Sequence, residues 1–368
     1  MPALVNLQNF GQSVWFDFIR RSLITSGELK ALVAQGVRGV TSNPAIFEKA
    51  IAGSSDYDQE IKALVKSGPS VEAIYETLAI KDIQLAADEL APVYRSTGGR
   101  DGYVSLEVSP FLARDTGRTA AEARRLFETV ERPNLMIKIP ATPEGLPAIT
   151  ESIAAGVNIN VTLIFGLENY KAVAEAYMAG LERLAVKGPT VKGGHSVDRI
   201  ASVASFFVSR VDTAVDKELE KKGAKNLLGK IGIANCKLAY AEYRRILSRP
   251  RWRELAAKGA RAQRVLWAST STKNPAYPDT LYVDELIGPD TVNTLPPETL
   301  KAFIDHGRAS QTLTLDVEGA HRQIQKIAEL GIDFDAVTHR LQEEGVEAFA
   351  KPFQALLESI DAKRNRLS

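Results

Sequence analysis

Short apolar runs alternate with longer stretches of helical period along most of this chain. The runs at 14–18, 37–41, 102–108, 135–139, 157–163, 201–208, 264–268 and 291–295 have the length and the aliphatic or aromatic content of strands. Between them, about 27–34, 71–94, 119–130, 144–155, 169–186 and 212–248 carry apolar residues at helical spacing. Pro296 ends the last run, because proline cannot donate to a ladder. Beyond about Thr312 the chain reads as wholly helical.

Eight strand candidates, each followed by helix, predict a parallel sheet, and eight units predict a closed (β/α)₈ TIM barrel. The expected organisation is one domain over 1–368, with roughly 312–368 as additional C-terminal helices packed on the barrel. An open doubly wound sheet is the alternative. No G-x-G-x-x-G follows an early strand, which argues against its dinucleotide-binding form.

Composition narrows the classes without choosing among them. The 368 residues are 45% hydrophobic and 25% charged, as in ordinary globular chains. Lys plus Arg total 46 against 45 Asp plus Glu, a net charge of +1, which points to neither a nucleic-acid nor a membrane partner. The start, Met1 to Asn6, lacks the basic residues and long apolar run of a secretory signal. No stretch reaches the roughly 18–20 apolar residues of a membrane span, so a cytoplasmic protein is expected. One cysteine, Cys236, excludes an internal disulfide and reads as core filler in a helix. His195, His306, His321 and His339 are scattered without metal-ligand spacing, so no metal is expected. The loop at 187–194, rich in Lys and Gly, reads as solvated rather than as a phosphate cradle.

One lysine changes this picture. Lys138 interrupts the run Leu135-Met136-Ile137-Lys138-Ile139, which has the character of a strand covered on both faces. Burial of an ammonium is unfavourable and lowers a lysine pKa, and a neutral amine attacks carbonyls. The competing reading is a lysine that snorkels from a strand end. Other polar residues share its placement at strand C-terminal ends, where barrels hold their chemistry. Asp17 lies late in the first strand, and Thr41, Ser42 and Asn43 close the second. Glu107 ends the third, and Asn160 and Thr162 share a face of the fifth. Ser205, Phe207 and Arg210 end the sixth, and Ser271 and Lys273 follow the seventh. Any one could be a cap or a satisfied core group, and Asn43 before Pro44 suits a helix N-cap. As a group they are hard to explain by stability, since a buried polar group without a partner costs about 1–3 kcal/mol.

Two segments, Gly39-Val40-Thr41-Ser42-Asn43-Pro44-Ala45-Ile46-Phe47 and Met136-Ile137-Lys138-Ile139-Pro140-Ala141-Thr142, resemble the two motifs of transaldolases. The resemblance covers roughly residues 10–300 and is weakest at about 215–262 and in the C-terminal helices. It implies a (β/α)₈ fold, no cofactor, and transfer of a dihydroxyacetone unit between sugar phosphates of the non-oxidative pentose phosphate pathway. By the same resemblance Lys138 forms the Schiff base, and Glu107 is the acid/base acting through a water that Thr162 orients. Asp17 would take the C4 hydroxyl proton. Asn43, Asn160 and Ser205 would hold the dihydroxyacetone hydroxyls, Phe207 would wall the site, and Arg210 and Lys273 would grip phosphate. Better-known members carry arginine where this chain has Lys273, a point charge without the bidentate fork. Many relatives form homodimers. The rival readings are another lysine aldolase on the same fold, either a fructose-6-phosphate aldolase, shorter and with tyrosine in place of the glutamate, or a deoxyribose-phosphate aldolase-like enzyme, and an inactive barrel that only binds.

Overall fold

The computed structural model describes residues 3–367, so Met1, Pro2 and Ser368 of the expected domain lie outside the described residues. Eight parallel strands close in sequence order: β1 (Gln12–Phe16), β2 (Val37–Thr41), β3 (Tyr103–Glu107), β4 (Leu135–Pro140), β5 (Ile159–Ile164), β6 (Ser202–Phe207), β7 (Arg264–Ala268) and β8 (Thr291–Leu295). β1 pairs with both β2 and β8, and the open doubly wound alternative is excluded. The first strand begins and ends two residues earlier than the apolar run predicts. Asp17 therefore stands just past β1, its N–H donating to Leu295 O at 2.9 Å.

Period-two alternation splits each strand between two cores. Trp15, Tyr103, Met136, Val203, Leu266 and Val292 fill the barrel interior. Phe16, Val40, Leu106, Ile137, Ile139, Val161, Phe206 and Trp267 face the surrounding helices. Gly39 is required by this packing: a Cβ there would lie 2.5 Å from the Trp15 ring.

Six of the helices bear on the chemistry of the barrel: α1 (Pro44–Ala52), α2 (Val71–Ser96), α3 (Ser209–Lys221), α4 (Ile231–Ser248), α5 (Val317–Glu329) and α6 (Phe334–Leu367). The expected pattern of one long helix per strand fails between β7 and β8. There a loop precedes only the short helix Leu281–Asp284. The helical C-terminus divides into α5 and α6, and α6 packs along α1 and across the C-terminal ends of the strands. Among the described residues no helix is long and apolar enough to cross a membrane.

At the N-terminal end of the barrel a polar group is closed by its neighbours. Asp101 accepts from Ser13 Oγ at 2.7 Å, Trp15 Nε1 at 3.1 Å and Arg264 Nη2 at 3.0 Å, and Arg264 also reaches Ser13 Oγ and the carbonyl of Arg100. Both carboxylate oxygens are occupied, so this buried pair is a structural lock.

Candidate active site

At the opposite, C-terminal end a pocket of about 190 Å³ opens. Its wall includes Asp17, Thr41, Asn43, Lys138, Thr162, Ser205, Phe207, Arg210, Ser271 and Lys273, ten of the thirteen residues expected from sequence. The other three stand directly behind it. Ser42 supplies the carbonyl that accepts from Lys138 Nζ at 3.2 Å, and its hydroxyl donates to Ser105 O at 2.7 Å. Asn160 spends its carboxamide on Ser105 Oγ at 3.0 Å and on the Ser205 hydroxyl at 2.7 Å, so it orients Ser205 from below. Glu107 lies beside Lys138.

Lys138 is 6% exposed, so it does not snorkel. β3 and β4 pair Glu107 directly with Lys138, and the carboxylate comes within 3.5 Å of Nζ. That contact is electrostatic rather than hydrogen-bonded, since Glu107 Oε2 is buried without a hydrogen-bond partner. Burial pushes the Glu107 carboxyl up to about 7; the nearby Lys138 opposes the shift and Asp17 adds to it. A carboxyl in that range can both give and take a proton near neutrality. On the next strand Thr162 Oγ1 is likewise buried and unpartnered. Two such polar atoms facing one lysine leave hydrogen-bonding capacity for a water or a substrate hydroxyl.

Asp17 accepts from Thr41 Oγ1 at 2.7 Å, which holds its carboxylate at the rim. Asn43 does cap α1, its Oδ1 accepting from Ile46 N at 3.0 Å, and it lines the pocket as well. The cap fixes where the side chain stands.

The far end of the pocket is cationic. Among the described residues no carboxylate and no hydrogen bond meets Arg210, whose guanidinium lies 5.3 Å from the Phe207 ring centroid. Burial lowers its pKa below the ordinary arginine value. Lys273, held by Ser271 Oγ at 2.7 Å, is also lowered, first by burial and then by Arg210 and Lys49. Cations gathered with only the Asp17 carboxylate near Lys273 are suited to an anion. A larger, open cavity of about 820 Å³ shares Ser271, but its carboxylates Asp279, Glu298 and Asp305 outnumber its cations Lys301 and His306.

Sequence reading missed Phe349 of α6. Its ring lines the pocket, with Lys138 Nζ 5.6 Å and the Arg210 guanidinium 6.0 Å from its centroid. α6 is anchored for this by Gln342, which donates to Ala141 O at 2.8 Å and Leu163 O at 3.1 Å at the ends of β4 and β5. Leu163 holds a left-handed φ of 61°, where β5 bulges against β6. Gly345 lets the helix approach it, since a Cβ there would stand 2.9 Å from the Leu163 side chain. The signal missed in sequence was the glutamine, glycine and phenylalanine at 342, 345 and 349, spaced for one helix face.

Residues 14–360 match the family described as Transaldolase/Fructose-6-phosphate aldolase. A protein named Transaldolase from Trichodesmium erythraeum is 48% identical over 379 residues, covering 99% of this chain and 98% of its own. One of the same name from Thermobifida fusca is 50% identical over 362 residues, covering 97% of each chain. A Transaldolase 2 from Nostoc punctiforme is 48% identical over 380 residues, covering 99% of this chain and 98% of its own. With both motifs converging on one buried lysine in a closed eight-stranded barrel, the chain belongs to the transaldolase/fructose-6-phosphate aldolase family.

Proposed function

We propose that the whole chain works as one barrel domain and transfers a dihydroxyacetone unit from sedoheptulose 7-phosphate or fructose 6-phosphate to glyceraldehyde 3-phosphate or erythrose 4-phosphate. The observation that carries this reading is the trio of Lys138, Glu107 and Thr162 on adjacent strands, with two polar atoms left open beside the amine. Lys138 Nζ adds to the ketose carbonyl, and Glu107, through a water held by Thr162, moves the protons that turn carbinolamine into iminium and water. The iminium then accepts the electron pair of the breaking C3–C4 bond while Asp17 takes the C4 hydroxyl proton, and the aldose phosphate leaves. Addition of the resulting enamine to a second aldehyde and hydrolysis of the imine complete the cycle. Arg210 and Lys273 hold the phosphate, and Ser205 and Asn43 hold hydroxyls of the three-carbon unit.

Glu107 favours transfer over the aldolase alternative, in which a tyrosine takes that place, and the curated relatives carry the name transaldolase. An intact set of acid, base and nucleophile weighs against an inactive barrel. A homodimer in the cytoplasm is part of the same reading, and light scattering of the purified protein tests the first half. The reaction itself is tested by incubating the enzyme with fructose 6-phosphate, reducing with borohydride and mapping peptides by mass. A three-carbon adduct on Lys138 supports the reading, and an unmodified Lys138 defeats it. Free dihydroxyacetone appearing as fast as transfer to erythrose 4-phosphate would favour the aldolase instead.

A further inference from the structure

The loop after β7 carries Ser271 and Lys273 to the pocket and returns over α3, the helix whose first turn holds Arg210. Hydrogen bonds fix it to α3 at two places. At its start Ser209 N donates to Ser269 O at 3.1 Å, and the two serine hydroxyls stand 2.8 Å apart. At its far end the Tyr277 hydroxyl donates to Asp216 Oδ2 at 2.6 Å. The Tyr277 ring lies against Gly229, where φ is 71° and a Cβ would stand 2.9 Å from the ring. Gly229 N in turn donates to Asp216 Oδ1 at 3.1 Å. Lys273 sits between these anchors.

We propose that Tyr277 is a positioning residue for the phosphate grip, acting through Asp216 to fix the Lys273 loop to the helix that carries Arg210. The proposal rests on reading the pocket as a sugar-phosphate site. An ammonium on a flexible stem brings no geometry of its own, unlike a guanidinium fork, so the loop must supply its placement. Asp212 and Asp216 stand one turn apart on α3, both buried, and Asp212 keeps one carboxylate oxygen without a hydrogen bond. Both aspartates bind backbone N–H groups at the entry to α4, Gly232 to Asp212 and Gly229 to Asp216, and Asp216 also takes the Tyr277 hydroxyl of the loop.

The test is Tyr277→Phe in the full chain, which removes one hydroxyl and keeps the ring. The KM for fructose 6-phosphate is expected to rise about tenfold, in line with loss of a hydrogen bond to a carboxylate, with kcat nearly unchanged. Affinity for inorganic phosphate by calorimetry should fall by the same factor, and turnover of unphosphorylated fructose should not move. In a Lys273→Ala background the substitution should add nothing. Asp216→Asn leaves one acceptor oxygen for two donors, the Tyr277 hydroxyl and Gly229 N, and should weaken phosphate binding as Tyr277→Phe does. Equal losses with unphosphorylated fructose, unaltered phosphate affinity, or additive effects with Lys273→Ala would each overturn the proposal. Phosphate binding needs no turnover, so a protein that binds phosphate yet leaves fructose 6-phosphate intact defeats the reaction reading while leaving this one standing.

Discussion

Arg264 and Arg210 stand at opposite ends of one barrel, both largely buried, and they are provided for in opposite ways. Arg264 has a carboxylate, a hydroxyl and a carbonyl around it. Arg210 has two aromatic faces and, among the described residues, no acceptor. The carboxylates repeat the contrast: Asp101 has hydrogen-bond partners on both oxygens, whereas Glu107 Oε2 has only the ammonium of Lys138 at 3.5 Å and no hydrogen bond. Polarity in a barrel interior therefore does not mark function by itself. Unmet hydrogen-bonding capacity does not do so alone either, since Gln12, Gln263 and Asn293 also keep atoms without a hydrogen-bond partner; at Glu107 it stands within 3.5 Å of the buried Lys138.

Substitutions at the two ends should fail differently. Lys138→Ala should reduce transfer on the order of 10⁴-fold or more with the fold retained by circular dichroism. Preserved activity would end the imine mechanism. Glu107→Gln should lower kcat/KM by about 10²- to 10⁴-fold. In the native enzyme Glu107 is protonated below about 7 and ionised above it, so a limb of the pH–rate profile should fall near there. That limb should be absent from the Gln variant; if it persists, it belongs to another group. At the closed end, Asp101→Ala should leave kcat of the folded enzyme unchanged and cost about 3–5 kcal/mol in urea unfolding, since it strands a buried guanidinium. A loss of kcat with no loss of stability would erase the distinction between the ends. The smallest effect is expected for Phe349→Leu, a slowing of imine trapping by about two- to thirtyfold, the range of a desolvated cation–π contact. An unchanged trapping rate would reduce α6 to packing.

Much of this was legible in the chain because strands buried on both faces announce themselves. The second, seventh and eighth strands have the bounds their apolar runs predict. The first strand slipped by two residues because Gln12 and Ser13, polar in sequence, take their partners inside the barrel and from the loop before β8. The pocket wall was readable because polar residues in apolar runs at one end of the strands are conspicuous. The lock at Asp101 was not, since Asp101 lies in the glycine-rich turn between α2 and β3 and its partners are 86 to 163 positions away. Phe349 was hidden for a related reason: a phenylalanine in an amphipathic helix looks like any packing residue until the helix is known to cross the strand ends.

The pairing of Glu107 with Lys138, and of Lys138 with Asn160, has a consequence for how such an enzyme can change. Neighbouring strands lie about 4.8 Å apart, and register moves only in whole residues that turn a side chain to the other face. The separation of Glu107 and Lys138 is thus set by the strand spacing, insensitive to what happens above it. The loops that bring Asn43, Ser271 and Lys273 to the pocket carry no such constraint. Insertions and substitutions there can redirect the enzyme to another sugar in small steps, while the carbon–carbon chemistry stays clamped in the sheet.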